Sequence, residues 1–474
     1  MRTRESVHNL TNDTLYWYSE AIKILKARNI DDPTSWWYMA AVHGYNGSSP
    51  YWKQATGYPP SQATQSSGYW NRCQHATWYF LPWHRMYLNF FERTVAEAVV
   101  QAGGPQDWAL PYWNYCNYFE SSLSQSDKDA ALEMPQEFGS PVGRNSRYPE
   151  LWLPGRAHYR LQPQNVDPQS AMRELEFTND FSIQFGGGIT GFAHFGGHPG
   201  QLESLPHNIV HVDIGGAMGD PDEAALDPIF WLHHANIDRL WYCWLKQPGR
   251  KNPTDSQWLD FSFKFHDISG NITQMKVSET LNTQQLGYKY TSEYPEAAAT
   301  AVSFGSRGGL ASQPPGSLFN ALDVIGASSV LDKNASTPFA IEMVPEPNRN
   351  VNFAAISDRA MPQKRTLIKL SNVRGKGKLP PMDVVVFVGA DDEQGVVAGS
   401  VGLFGLEQAS TPSIEHDGSG LNLMLDATAT FDELRRKPGW DENQIFVELK
   451  PQEDIDESSL PEIGRISVHS EIDN

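Results

Sequence analysis

The chain has 474 residues, 40% of them hydrophobic and 20% charged, with a formal net charge of −19. That balance describes a globular protein of two or three domains, not a disordered or fibrous one. The acidic surplus argues against nucleic acid and anionic membranes as partners, and no run approaches the apolar length needed to span a bilayer. The N-terminal Met1-Arg-Thr-Arg-Glu-Ser-Val-His has basic residues but no apolar segment behind it, and three cysteines are too few for a disulfide framework. A cytoplasmic location is the expectation. Nothing in the sequence sets an oligomeric state.

In chain order, Thr11-Asn12-Asp13 offers a cap before a helix over Leu15–Lys26. Asp32-Pro33-Thr34-Ser35 starts a second helix that runs to His43 and stops at Gly44. A polar loop rich in Gly, Ser and Tyr follows to Gln74, and Trp83–Val100 has a helical pattern. The stretch 117–200 reads as loops. Helices are expected over 203–213 and 228–247, the latter with Asp227 as cap and Pro228 at its first position. From 293 to 338 Ala, Ser, Gly and Pro dominate, as in a linker, with Arg307 and Lys333 as protease sites. Beyond it, short apolar or alternating runs predict strands at Phe339–Val344, Thr366–Leu370, Asp383–Val388, Val396–Leu403, Leu421–Leu425, Ile445–Leu449 and Ile466–Val468, spaced as in an antiparallel β-sandwich.

Two histidine clusters carry the chemistry. In the second, His207 and His211 are four residues apart, which on a helix puts two nitrogens on one face within reach of one ion. The third member is His233 or His234. His233 shares a helix face with Ile237 and Leu240, His234 with Phe230 and Asp238, so periodicity leaves both open. In the first cluster, His75 and His84 are nine residues apart with Pro82 between them. They cannot share a regular helix face, which places His75 on a loop and His84 on the first turn of the next helix. Upstream, His43 at a helix end is the candidate and His8, in a polar arm, its competitor. An imidazole-only set suits copper, iron, zinc or nickel, and two triads without a carboxylate ligand match no zinc signature.

The phrases His75-Ala-Thr-Trp-Tyr-Phe-Leu-Pro-Trp-His84-Arg85 and Asp227-Pro-Ile-Phe-Trp-Leu-His233-His234-Ala-Asn-Ile-Asp238-Arg239 resemble the two copper signatures of the type-3 dicopper family, over roughly residues 1–290. That family contains tyrosinases, catechol oxidases, o-aminophenol oxidases and haemocyanins. Leu286-Gly-Tyr-Lys-Tyr290, Met382-Asp-Val-Val-Val-Phe-Val-Gly and Ala398-Gly-Ser400 look like the linker and C-terminal domain of plant polyphenol oxidases. The resemblance implies a mainly α dicopper domain over 1–292 built on a four-helix bundle, a linker over 293–338 and a β-sandwich over 339–474. It implies two copper ions with O2 as co-substrate, His43, His75 and His84 on one and His207, His211 and His234 on the other, with His233 a packed neighbour and Phe230 beneath the ligands. It also implies a thioether between Cys73 and His75, leaving Cys116 and Cys243 as core residues.

In the family, a glutamate and an asparagine at the positions of Glu203 and Asn208 hold a water that takes the phenol proton. Pro221 falls where plant catechol oxidases carry a bulky residue, and with Val212 it is assigned to substrate access. The implied activity is that of a tyrosinase, hydroxylating monophenols at the ortho position and oxidising o-diphenols to o-quinones; small phenols and catechols are the expected partners. A catechol oxidase or o-aminophenol oxidase is the rival, and an oxygen carrier a more distant one. The C-terminal domain is either a removable cover of the copper mouth, with Val401-Gly-Leu-Phe404 the apolar stretch that could plug it, or a permanent stabilising module.

Overall fold

The computed structural model describes residues 1–10, 13–179, 183–190, 197–291, 323–328, 333–334, 339–343, 364–388, 395–413, 416–437, 440–441 and 444–472. The N-terminal part is mainly helical and the C-terminal part a β-sheet. Helix α1 spans Thr14–Lys26 and buries Leu15, Tyr18, Ile22 and Leu25, the one-sided stripe its sequence encodes. Asp13 precedes it without a side-chain cap, and Thr11 and Asn12 lie outside the described residues. Helix α2, Trp36–His43, begins as expected at Ser35, whose hydroxyl accepts from Tyr38 N at 3.0 Å, and ends at Gly44.

Helix α3 spans Phe80–Gln101, starting three residues before the expected Trp83. Pro82 therefore lies inside its first turn, where the missing N–H has no intrahelical acceptor to lose, and His84 stands one turn deeper than expected. The helix expected over 203–213 is interrupted. Glu203–Asn208 forms an irregular turn in which Leu205 is extended (φ −145°, ψ 119°) ahead of Pro206, and regular helix α4 covers only Ile209–Ile214. Steric pressure from a proline ring on the preceding residue accounts for the break. Helix α5, Pro228–Trp244, starts on Asp227, whose carboxylate accepts from Ile229 N at 3.1 Å and from Arg156 at 2.6 and 2.8 Å.

A buried charge network ties these helices to the chain ends of the domain. Strand β1, Arg2–Arg4, pairs in parallel with β4, Tyr288–Tyr290; between them in sequence lies the hairpin β2 (Ser262–His266) and β3 (Ile272–Lys276). Arg4 donates to Glu92 at 2.6 Å and to Asp238 at 3.3 Å, and Asp238 also accepts from Arg85 at 2.5 Å and from Tyr288 at 2.6 Å. Full burial makes this pairing obligatory, because removing one partner strands a charge. Asp238 is thus ion-paired with Arg4 and Arg85, whereas its neighbour Arg239 donates to the Asn114 and Asn236 side-chain oxygens.

The C-terminal part holds β5 (Asp323–Ser328), β6 (Lys333–Asn334), β7 (Phe339–Met343), β8 (Lys364–Arg374), β9 (Met382–Val388), β10 (Val396–Val401), β11 (Leu421–Asp426), β12 (Ile445–Pro451) and β13 (Glu462–Ile472). In place of two stacked sheets they form one nine-stranded antiparallel sheet, in the order β10-β9-β12-β7-β5-β13-β8-β11 with β6 on β13. The sheet curls until its edges approach, since a Cβ on Gly399 of β10 would lie 3.2 Å from Leu425 of β11. Curling lets one ladder enclose the core that a sandwich would divide. Strands β5 and β6 fall inside the expected linker. The Gly, Ala and Ser of β5 and the two-residue length of β6 hide them, and pairing with β13 supplies the order. Lys333 is thus in a paired strand, while Arg307 and most of 293–338 lie outside the described residues. Among the described residues no helix is long and apolar enough to cross a membrane.

The two parts interlock. Arg365 holds Glu174 at 2.9 and 3.3 Å, Lys378 reaches Glu223 at 2.6 Å, and Gln452 meets Asn165 at 3.0 Å. Leu367 and Met424 bury Ile183 of the helical part.

Candidate metal centre

Four helical segments and one loop converge on a buried histidine cluster. His43 is the last residue of α2. Gly44 follows it because a Cβ there would sit 2.5 Å from Pro221 O and within 3 Å of Asp222. That close approach brings Pro221 O within 2.8 Å of His43 Nδ1. His84 turns back along α3 so that its Nδ1 donates to Phe80 O at 2.8 Å. His75 rides a loop in which Ala76 has φ +54°, a left-handed conformation costing roughly 1 kcal/mol for a non-glycine residue. The strain is held in place from outside: Ala76 N donates to Glu203 Oε1 at 2.7 Å, and Gly197 leaves room for Ala76 O where a Cβ would collide.

The ring centroids of His43, His75 and His84 form a near-equilateral triangle, with sides of 5.3, 5.6 and 5.3 Å. His207, His211 and His234 form another, with sides of 4.6, 4.9 and 5.5 Å. The triangles meet where His84 and His234 stack at 4.4 Å. Phe230 packs 5.0 Å from His43 and 4.2 Å from His234, beneath both sets. His8, the competitor of His43, belongs to none of the clusters whose ligand atoms fall within 4.8 Å of one another.

The hydrogen bonds fix the tautomers. A carbonyl can only accept, so His43, His84 and His211 carry their protons on Nδ1, the last donating to Met218 O at 2.8 Å. His207 Nδ1 likewise donates to Asn208 Oδ1 at 2.9 Å. The Nε2 lone pairs are left for an ion, and Nε2 of His84 and of His207 are buried without a hydrogen-bond partner. Burial, reinforced by neighbouring imidazoles, pushes His84, His207, His211 and His234 well below their usual range, so the rings are neutral ligands at neutral pH.

His211 Nε2 lies 3.3 Å from His234 Nε2, the separation expected of two nitrogens each about 2 Å from one shared ion. His233 stands close by, 5.3 and 4.9 Å from His207 and His211, but its Nδ1 faces the Tyr115 hydroxyl at 3.0 Å. Orphaned imidazole nitrogens, neutral rings and paired triangles together fit two copper ions.

A cavity of about 400 Å³ opens from the cluster into the seam between the two parts, lined by His43, His75, Glu203, Asn208, Pro221 and Phe404 among others. Glu203 Oε2 is buried without a partner, and burial pushes its carboxyl up to about 8. Val212 is buried in the helical core and is not among the lining residues, because α4 turns it away from the histidine beside it. Cys73 presents its Sγ within 4.8 Å of ligand atoms of His43 and His75. Cys116 and Cys243 are buried core residues, as expected.

The cavity's roof is Phe404, from the turn after β10. Its ring stacks on His211 at 4.1 Å and stands edge-on to His75 at 5.5 Å and to His207 at 5.9 Å. The backbone there presses so close that a Cβ on Gly402 would lie 2.7 Å from Asn208 O. Sequence reasoning reached the stretch Val401–Phe404 but had no means to choose the residue. The discriminating cue was local: an aromatic flanked by Gly402 and Gly405, which let the turn fit tightly.

Comparison with known proteins agrees with this geometry. A family model described as the common central domain of tyrosinase matches residues 33–247, one described as the polyphenol oxidase middle domain matches 252–299, and one described as a domain of unknown function matches 321–471. The chain is 51% identical to "Tyrosinase HcTyr1" of Hahella sp. (strain CCB-MM4), covering 100% of both proteins. It is 33% identical to the chloroplastic polyphenol oxidase of Vitis vinifera over 61% of this chain and 47% of that one. Two solved structures share the fold: a latent aurone synthase (polyphenol oxidase), with a TM-score of 0.60 at 21% identity over 100% of this chain and 90% of that one, and a latent apple tyrosinase, with a TM-score of 0.57 at 21% identity over 99% and 97%.

Proposed function

Given that this chain belongs to the tyrosinase and polyphenol oxidase family, we propose that it hydroxylates monophenols at the ortho position and oxidises o-diphenols to o-quinones, with O2 as co-substrate. Two copper ions, one held by His43, His75 and His84 and the other by His207, His211 and His234, supply the redox chemistry when bound. The chain's own residues do the rest. The hydrogen bonds on Nδ1 lock each imidazole, and the ring of a phenol takes the place of Phe404 against His211.

The observation that carries hydroxylation, as distinct from diphenol oxidation alone, is Glu203. A neutral phenol, with a pKa near 10, binds metal poorly and needs a base. Glu203 offers a carboxylate oxygen to the cavity beside Asn208, with an acidity poised close to neutral pH, and accepts the phenol proton through a water between them. Replacing it by the isosteric amide tests this: Glu203→Gln is expected to lower the monophenol rate at least about tenfold more than the diphenol rate, within the usual reach of general-base catalysis. Equal losses on both substrates would refute the role and favour a catechol oxidase.

We further read the four histidine-bearing helices as a bundle, residues 1–292 as the catalytic unit and 339–474 as a cover that keeps the full chain latent. Phe404 supports that reading, since no phenol can reach His211 while the ring lies on it.

A further inference from the structure

The cavity beyond the histidines is acidic. Five carboxylates line it (Glu203, Asp220, Asp222, Glu407 and Asp417), and no Lys or Arg does among the described residues. Asp220 and Asp222 belong to the catalytic unit, flanking Pro221 at the mouth. In the covered state they share one donor, the Gln408 side-chain amide, whose Nε2 donates to Asp220 Oδ1 at 2.8 Å and to Asp222 Oδ2 at 3.0 Å.

Gln408 lies one helical turn along from Phe404, on α6 (Leu406–Ser410). The cover therefore inserts two groups in fixed relation, an aromatic ring on His211 and an N–H donor on two carboxylates. A neutral amide answers two adjacent carboxylates only in part. Burial raises both carboxyls, that of Asp222 to about 6; Lys378 acts on Asp220 from outside the cavity, and among the described residues no Lys or Arg lines the cavity itself. An ammonium group would make the stronger, charge-assisted bonds.

We propose that Phe404 and Gln408 occupy the places of a substrate's ring and ammonium group, and that the enzyme selects phenols carrying a protonated amine on a short chain para to the hydroxyl, bound by Asp220 and Asp222. This rests on the phenol-oxidase reading and names the substrate class of that site. Phenolic acids meet repulsion at the same carboxylates, and neutral alkylphenols meet neither attraction nor repulsion.

The test uses the copper-loaded full chain carrying Phe404→Ala and Gln408→Ala, so that both places are vacated, with aminoethyl, ethyl and carboxyethyl catechols of matched size. The expected order of kcat/KM is amine, then neutral, then acid, with about three- to tenfold per step, the range of half-buried ion pairs. Adding Asp220→Asn and Asp222→Asn should collapse the amine-to-acid ratio, mainly through KM. A flat order before the aspartates are replaced, or one that survives their replacement, overturns the proposal.

Calorimetry with phenethylamine, which lacks the reacting hydroxyls, gives a readout independent of turnover. Its dissociation constant should rise about tenfold when both aspartates are replaced, and an unchanged constant overturns the assignment. If no catechol is oxidised while phenethylamine still depends on the two aspartates, the oxidase reading fails and the acidic subsite stands.

Discussion

Phe404 lies face to face with His211, ring centroids 4.1 Å apart and planes inclined by 16°. One residue comes from the turn after β10 and the other from α4, so the β-sheet part places this ring directly on the histidine cluster. An inserted Phe buries a large apolar surface, and its truncation in a packed site costs about 3–5 kcal/mol in general.

Phe404→Ala should therefore unmask the full chain. The expected result is a rise of at least about tenfold in kcat/KM for an o-diphenol, with little further gain from limited proteolysis, because a few kcal/mol of closure corresponds to one or more decades. Initial rates on the copper-loaded protein check this. A variant as slow as the parent, still activated by protease, would place the block elsewhere.

Much of the site was legible because metal binding imposes spacing. The four-residue interval of His207 and His211, the His43-Gly44 helix end and the Asp227-Pro228 cap all turned out where local rules place them. The choice between His233 and His234 came from family resemblance, since a single-residue shift moves a side chain by only about 100° on a helix. The start of α3 at Phe80 lies outside the apolar pattern that begins at Trp83, and Pro82 falls in the first turn, where a helix tolerates proline. The curled single sheet and strands β5 and β6 were illegible because pairing with β13, more than a hundred residues away, decides them. Gln408 on Asp220 and Asp222 is likewise a contact between distant segments that no local pattern announces.

The two adjacent histidines of α5 should behave differently. His234→Ala is expected to lower bound copper from two ions per chain toward one, whereas His233→Ala, whose ring is held by Tyr115, should retain both. Metal analysis after dialysis decides it. Loss of copper only in the His233 variant would reverse the assignment.

Glu203 gives a pH signature in the copper-free protein. Its carboxyl is raised to about 8 by burial, against about 4.3 for an unfolded glutamate, so between those values the folded state binds the extra proton. Stability from this group is thus present at low pH and lost as pH rises through that window. Glu203→Gln should melt progressively higher relative to the parent from pH 5 to pH 9. Parallel melting curves across that range would show that the carboxyl is not raised.

The approach of Cys73 Sγ to His75 allows a thioether between them. Formation would remove two hydrogens, one from each residue, with copper and O2 as the oxidising system. Intact mass of the copper-loaded protein should be two hydrogens lower than that of a Cys73→Ser variant corrected for the substitution. An unmodified mass would rule the cross-link out.

The most direct test of the whole account is oxygen uptake by the copper-loaded full chain and its Phe404→Ala variant, with a monophenol and the matched o-diphenol. Slow uptake by the parent and rapid uptake by the variant on both substrates, the monophenol included, is the expected result. No uptake by the opened, copper-loaded variant on either substrate would contradict it.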